Sequence, residues 1–78
     1  MTIGQATSKR IDEYLFTRGI TLYRLAHDAA IPVATLQNLY RGHTKSPTLA
    51  VIFKICDALE ITAQEFLDSP FFQDLELD

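Results

Sequence analysis

The chain has 78 residues, 47% of them hydrophobic and 22% charged, with a formal net charge of −3. A chain of this length leaves too little wall for an enclosed active site, so we expect one domain that is not an enzyme. Its single cysteine, Cys56, excludes an internal disulfide, and two histidines without ligand spacing exclude a structural zinc site. The longest apolar run, residues 49–53, is far shorter than the ~20 residues that span a bilayer. We therefore expect a cytoplasmic protein with no membrane contact, cofactor, metal or small-molecule ligand.

The charge is distributed unevenly along the chain. Residues 1–56 carry all seven basic residues and three acidic ones, giving +4, whereas residues 57–78 carry seven acidic residues and no basic one, giving −7. Such an asymmetry can create one surface that attracts phosphate and another that repels it, although surface charge can equally serve only to keep a protein soluble. The nucleic-acid interpretation requires the basic residues to converge in the fold.

Glycine and proline residues divide the chain into five segments with helical periodicity, and none has the alternation of a strand. The first predicted helix covers residues 8–18. The second starts at Thr21 as its N-cap and stops near residue 29 or 30, because the residue before Pro32 disfavours helical dihedrals. The third covers residues 33–41, with the proline in its first turn.

The fourth predicted helix starts after Pro47 with Thr48 as N-cap, and its broad apolar face makes it the most buried of the five. That face comprises Leu49, Ile52, Phe53, Ile55, Cys56 and Leu59. The fifth helix is short, with a capping box of Thr62 and Glu65, and Pro70 stops it. The sequence thus predicts a single all-α domain of five helices over residues 1–78. Its core covers about 8–69, and an acidic tail of unassigned structure covers 70–78.

The turn between the second and third helices has only three or four residues, which is the geometry of a helix-turn-helix. The anchoring side of the third helix comprises Leu36, Leu39 and Tyr40. The opposite side carries Val33, Ala34, Gln37 and Asn38. We expect this opposite side to face the bases of double-stranded DNA. Its two amides match the donor and acceptor pair of adenine in the major groove, and its two small apolar side chains can pack on a thymine methyl.

Groups that can bind phosphate flank the third helix on both sides. After it come Arg41, His43, Thr44 and Lys45. Before it, the start of the second helix offers Thr21, Tyr23 and Arg24 together with free backbone N–H groups. Taken alone, each of these residues is more often an ordinary surface side chain. Their order and spacing, rather than any single residue, indicate a helix that docks in a groove.

The chain resembles the Cro/C1-type helix-turn-helix family of phage repressors and bacterial regulators over about residues 8–67. The resemblance rests on ITLYRLA (20–26), IPVATL (31–36) and GHTKSP (42–47), followed by segments similar to the family's fourth helix (48–59) and fifth helix (65–67). It implies a dimer that binds an operator with the third helix in the major groove. The base-reading positions it implies are Val33, Ala34, Gln37 and Asn38, and the phosphate positions are Thr21, Arg41, His43, Thr44, Lys45 and Ser46.

Several positions depart from the family's usual pattern. Ala30 stands at a turn position often held by glycine, which predicts backbone strain or a different turn. Pro32 replaces the usual polar cap of the recognition helix, and Leu22 replaces a phosphate-binding glutamine. An arginine–glutamate pair between helices one and three is replaced by Leu15 and Tyr40, which we expect to form an apolar pair. With apolar side chains at the first two base-reading positions, we expect modest discrimination between sequences.

Two functions stay open at this point. The first is a sequence-specific transcriptional regulator, a repressor, that binds as a homodimer with subunits ~34 Å apart on the duplex. Its dimer surface would use helix five and Phe71, Phe72, Leu75 and Leu77, unless this tail folds back over helix one. The alternative is a protein-interaction module of the same fold, antirepressor or antitoxin-like, that does not bind DNA, and the acidic C-terminal third favours it. The test between them is whether Arg24, Arg41 and Lys45 share a face with Asn38.

Overall fold

The computed structural model describes residues 1–77 and contains five α-helices followed by one turn of 3₁₀-helix. The helices are α1 (Ile3–Arg18), α2 (Leu22–Ala29), α3 (Val33–Tyr40), α4 (Leu49–Leu59) and α5 (Ala63–Leu67), and the 3₁₀ turn is Pro70–Phe72. The prediction of an all-α, five-helix fold is confirmed. Asp78, the last residue of the predicted tail, lies outside the described residues. Within residues 1–77, no helix has both the length and the apolar character needed to cross a membrane.

Threonine side chains cap the amino ends of four of the five α-helices. The side chains of Thr2, Thr21, Thr48 and Thr62 each accept a hydrogen bond from the backbone N–H three residues later. Each cap satisfies an N–H that has no partner inside the helix and is worth about 1 kcal/mol. α3 is the exception, because its N-cap is Pro32, which makes no side-chain hydrogen bond. The N-caps predicted for α2, α4 and α5 are confirmed. The capping box predicted for α5 is only half formed, because within residues 1–77 the Glu65 side chain does not accept from the Thr62 N–H.

The first helix begins at Ile3 and not at residue 8 as predicted. A capping box starts it, since the Thr2 hydroxyl accepts from the Gln5 N–H and the Gln5 side chain accepts from the Thr2 N–H. Its first turn lies on the loop after α3, where the Gly4 N–H donates to the Lys45 carbonyl at 2.8 Å. A Cβ on Gly4 would lie only 1.6 Å from the Thr44 carbonyl oxygen. Glycine is therefore required for this approach of helix to loop.

The turn between α2 and α3 carries the strain predicted for it. Ala30 adopts the left-handed conformation (φ 56°, ψ 42°) that glycine adopts without steric cost. The Ile31 N–H then donates to the Ala26 carbonyl at 3.0 Å, and the Ile31 side chain is buried in the core. The turn thus forms with alanine in the left-handed conformation, and the buried Ile31 side chain next to it holds the alanine there.

The predicted burial of α4 is correct for four residues and wrong for two. Ile52, Ile55, Cys56 and Leu59 are buried. Leu49 and Phe53 are 68% and 56% exposed. They stand one turn apart on α4, on a side that the helices packed against it, α2 and α5, leave uncovered. Burial also raises the pKa of the Cys56 thiol, which fits a small apolar core residue.

Two arginines of α1 bind the carboxyl ends of later helices. Arg10 donates from Nε to the Phe66 carbonyl and from Nη2 to the Glu65 carbonyl, both at 2.7 Å. Arg18 donates from Nη1 to the Leu59 carbonyl at 2.9 Å. A cation at this end satisfies unpaired carbonyls and meets the negative pole of the helix dipole. Two of the seven basic residues therefore stabilise the fold and are not free to bind phosphate.

The tail folds back over α1, which is the second of the two predicted arrangements. The 3₁₀ turn packs on α1, and the Phe72 ring lies 6.0 Å from the Phe66 ring. Phe71, Phe72 and Leu75 are half-buried, whereas Leu77 is exposed. An isolated bridge between Thr2 and Glu76 holds the end of the tail beside the start of α1.

Candidate nucleic-acid interface

α3 is anchored on one side and open on the other. Leu36 and Leu39 belong to the core and are 0% and 2% exposed. On the opposite side Val33, Ala34 and Asn38 are exposed and Gln37 is half-buried. We call these four residues the recognition strip. The side chains predicted to face bases therefore lie together on the outer side of one helix, and the tail on α1 leaves them open.

The first turn of α2 contacts the recognition strip directly. The Gln37 amide donates from Nε2 to the Tyr23 hydroxyl at 3.0 Å. The Thr21 hydroxyl accepts from the Arg24 N–H at 3.0 Å as the N-cap of the helix. The residues predicted for phosphate binding at the start of α2 thus lie beside the residues predicted for base reading. The sequence does not predict the bond between Tyr23 and Gln37, because residue spacing within a helix does not specify the angle between two helices.

The Arg24 side chain is engaged in a local ion pair. Its Nε donates to Asp28 Oδ2 at 2.9 Å, one helical turn away, and His27 Nδ1 lies 3.3 Å from Asp28 Oδ1. The hydrogen bond from Arg24 is the main cause of a lowered pKa of Asp28, and that from His27 comes second. Arg24 is nevertheless exposed, so its remaining N–H groups stay accessible to a phosphate. The sequence left Asp28 open as a surface acid or a local helix partner, and it is a local helix partner of Arg24.

Residues 41–45, which we call the phosphate loop, follow α3 directly. Arg41, His43 and Lys45 are exposed, and Thr44 is half-buried. Gly42 turns the chain with a positive φ of 80°. The hydrogen bond from Gly4 to the carbonyl of Lys45 fixes the far end of the loop to α1. The predicted phosphate residues on this side therefore project from a loop that is held at both ends.

Part of the backbone of the phosphate loop is already engaged. The Gly42 N–H donates to the Leu39 carbonyl at 3.1 Å, and the His43 N–H donates to the Asn38 carbonyl at 2.9 Å. These bonds close the carboxyl end of α3, which ends at Tyr40, one residue before the predicted end. Both N–H groups are thus used within the protein. The loop therefore has fewer backbone donors left for a phosphate.

Tyr40 makes polar contacts where an apolar pair with Leu15 was expected. Its hydroxyl donates to Asp12 Oδ1, and its carbonyl accepts from the Ser8 hydroxyl. The hydrogen bond to Asp12 is the main cause of a raised pKa of Tyr40. Leu15 and Tyr40 both pack on the hydrophobic core, and the tyrosine adds a polar contact at its hydroxyl that an apolar pair alone does not include.

Lys9 is a basic residue near the interface that the sequence analysis missed. Together with Gln5 it lines a surface depression of about 260 Å³, which Arg41 and Gly42 also line. The side chain is exposed and lies on α1. The Thr-x-x-Gln signature at residues 2–5 would have revealed that α1 starts early enough to bring Gln5 and Lys9 to this place.

Comparison with known proteins agrees with this geometry. The family model of the Cro/C1-type HTH DNA-binding domain matches residues 10–71. The chain is also similar to the crystal structure of the prophage Lp1 protein 11, with 28% sequence identity and a TM-score of 0.83, over 96% of this chain and 99% of that one. No match was found among curated proteins. The family match covers the whole helix-turn-helix and its supporting helices, and this chain therefore belongs to the Cro/C1-type helix-turn-helix family of DNA-binding domains.

Proposed function

We propose that this protein is a sequence-specific transcriptional regulator, a repressor, that inserts α3 into the major groove of an operator. The observation that carries this proposal is the open recognition strip on a helix whose other side is buried. A side chain can read a base edge only when it is accessible while its helix is held in place. Cationic side chains flank the strip, since Arg24 follows the Tyr23 that Gln37 contacts, and Arg41 and Lys45 lie on the loop directly after α3.

Two kinds of base contact follow from the composition of the recognition strip. Gln37 and Asn38 can each form a bidentate pair with adenine, whereas Val33 and Ala34 can pack on a thymine methyl. Only two of the four side chains can form hydrogen bonds with a base. We therefore infer modest direct discrimination and a larger share for the shape and deformability of the operator.

The proposed phosphate contacts come from two elements beside the strip. At α2 the groups are Thr21, Tyr23 and Arg24, and in the phosphate loop they are Arg41, His43, Thr44 and Lys45. Lys9 adds a cation close to Arg41. Contacts of this type fix the register of the protein on the duplex without reading its sequence.

We propose that a second copy of the chain binds through the exposed side of α4 and α5. Leu49, Phe53 and Leu67 are all more than 40% exposed, although they are large and apolar. Leu49 and Phe53 lie one turn apart on α4, and exposed large apolar side chains on adjacent turns of a helix are typical of interaction surfaces. The half-buried Phe71, Phe72 and Leu75 are less accessible for this purpose than the sequence analysis expected. A dimer would bring two copies of α3 to half-sites about one helical turn apart.

The dimer proposal is tested by the effect of Phe53→Glu on molecular mass in solution, measured by analytical ultracentrifugation. We expect this variant to be monomeric and to bind a palindromic operator more weakly, with its fold intact. Phe16→Glu is the matched control, because Phe16 is the most exposed large apolar residue and lies on α1. A wild-type chain that is monomeric both free and on DNA would overturn the proposal.

Operator binding is tested by selecting bound fragments from random DNA and titrating the best one with wild type and with Asn38→Ala. We expect a palindromic site and a loss of at least about tenfold in affinity for Asn38→Ala, confined to one base pair in each half-site. Gln73→Ala, in the exposed part of the tail, is the control and should bind as wild type does. Equal weakening on every sequence would contradict base reading by Asn38. The absence of any DNA binding would favour the protein-interaction alternative, to which the exposed acidic residues of the C-terminal third also point.

A further inference from the structure

The hydrogen bond between Tyr23 and Gln37 joins two side chains that the proposed function treats separately. Tyr23 lies in the first turn of α2, and Gln37 lies fourteen residues later on α3. The bond is made at the surface, with Tyr23 61% exposed and Gln37 half-buried. Two surface side chains that bond to each other in the free protein have part of their rotational freedom removed before any ligand arrives.

We propose that Tyr23 is a specificity-determining residue that acts through Gln37, an inference that rests on the proposed function. The tyrosine hydroxyl accepts a hydrogen bond from the Gln37 amide and donates a hydrogen bond to a phosphate oxygen of the operator. One residue thereby bonds the DNA backbone and at the same time orients the amide that reads a base.

The donors and acceptors of the pair support this arrangement. A phenol carries one O–H donor and accepts through its oxygen, and an amide carries two N–H donors and one carbonyl acceptor. The Gln37 Nε2 uses one N–H on the Tyr23 oxygen. The second N–H and the carbonyl oxygen of the amide remain, and they are the two groups that adenine requires in the major groove. The phenolic proton is left for a third partner.

The position of the hydroxyl makes a phosphate the fitting third partner. Tyr23 stands between the N-cap Thr21 and Arg24, at the amino end of α2. The positive pole of the helix dipole favours an anion there, and the N–H groups of Arg24 that are not bonded to Asp28 can add to it. A phosphate that accepts from the hydroxyl also polarises it and strengthens its bond to the amide. The backbone contact and the base contact should therefore depend on each other.

A double-mutant cycle on DNA binding tests this dependence. The four proteins are wild type, Tyr23→Phe, Gln37→Ala and the double variant, each titrated on the selected operator and on operators substituted at the base pair that Gln37 reads. We expect Tyr23→Phe to lose about tenfold in affinity on the preferred operator and to lose most of its preference at that base pair. In the Gln37→Ala background we expect the same change to cost less, by a factor of about three or more.

The control cycle pairs Tyr23→Phe with Asn38→Ala. Asn38 is exposed on the same strip, but its side chain makes no hydrogen bond to Tyr23 within residues 1–77, so its effect should add to that of Tyr23→Phe. Thermal unfolding should be nearly unchanged in every variant, because these side chains are not in the core. Additive effects of Tyr23→Phe and Gln37→Ala in a chain that discriminates between operators would overturn this inference alone. A wild-type chain without any base preference would overturn both it and the proposed function.

Discussion

The Ser8 hydroxyl of α1 donates a hydrogen bond to the carbonyl oxygen of Tyr40, the last residue of α3. A carbonyl in the last turn of a helix has no partner inside that helix, so α1 supplies the missing donor. The same tyrosine is held a second time, through its hydroxyl, by Asp12. Two residues one turn apart on α1 therefore fix the end of the helix that carries the recognition strip.

This contact predicts that Ser8→Ala lowers the stability of the fold. The variant loses the donor and leaves the partly buried carbonyl of Tyr40 unsatisfied, which should reduce the free energy of unfolding by about 1 kcal/mol. Urea unfolding followed by circular dichroism measures the change. Ser8→Thr keeps the hydroxyl and should retain most of the stability. If Ser8→Ala unfolded at the same urea concentration as wild type, the contact would not stabilise the domain.

The ion pair of Arg24 with Asp28 predicts a pH dependence at low pH. Asp28 has a pKa below its ordinary value of 3.8 when folded, chiefly because Arg24 donates a hydrogen bond to it. A group whose pKa is lowered on folding stabilises the protein above its unfolded pKa, and this stabilisation is lost as the pH falls through the folded pKa. The pair is thus intact at neutral pH and is lost in acid below 3.8.

The measurement is an NMR titration of the Asp28 carboxyl in wild type and two variants. Arg24→Ala should return the pKa toward its ordinary value, and His27→Ala should raise it less, because its hydrogen bond is the smaller cause. A pKa that does not move in Arg24→Ala would mean that the pair does not form in solution.

The two classes of basic residue predict different effects of substitution. Lys45→Ala removes an exposed cation of the phosphate loop, so the slope of log affinity against log salt should fall by about one unit at unchanged stability. Arg18→Ala removes the donor to the Leu59 carbonyl, which should cost about 1 kcal/mol of stability and leave the salt slope as in wild type. Binding at several salt concentrations and urea unfolding separate the two effects. A salt slope that stayed constant in Lys45→Ala would remove this residue from the phosphate contacts.

The two loop-associated glycines predict a contrast in stability. Gly4→Ala brings a Cβ to 1.6 Å from the carbonyl oxygen of Thr44, so helix and loop must separate, at a cost of about 3 kcal/mol. Gly42→Ala meets no atom within 4 Å and is strained only by its positive φ, which should cost about 1 kcal/mol. Thermal unfolding of both variants makes the comparison, and DNA affinity should fall more for Gly4→Ala. Equal losses of stability would show that the loop yields to the new methyl group.

Local signals predicted most of the fold. Thr21, Thr48 and Thr62 were identified as N-caps because a hydroxyl before an apolar repeat has one favourable place in a helix, and all three cap helices. The start of α1 differs from the predicted residue 8, because the apolar repeat begins later in the chain and the capping box at residues 2–5 lies ahead of it. The exposure of Leu49 and Phe53 was missed since periodicity gives the width of an apolar face without saying how much of it neighbours cover.

The candidate site was predicted less completely, because its side chains come from three helices. The exposure of Val33, Ala34 and Asn38 followed from their spacing on one helix. The bonds of Gln37 to Tyr23 and of Tyr40 to Asp12 depend on how α3 crosses α2 and α1, which residue spacing within one helix does not specify. The residue roles in DNA binding stay predictions until the titrations above are made.

The two contacts that join Gly4 to Lys45 and Thr2 to Glu76 have a practical consequence for engineering this protein. Both ends of the described chain therefore lie beside the phosphate loop, which is proposed to contact the duplex. A fluorescent protein or affinity handle fused at either extremity would therefore crowd the DNA.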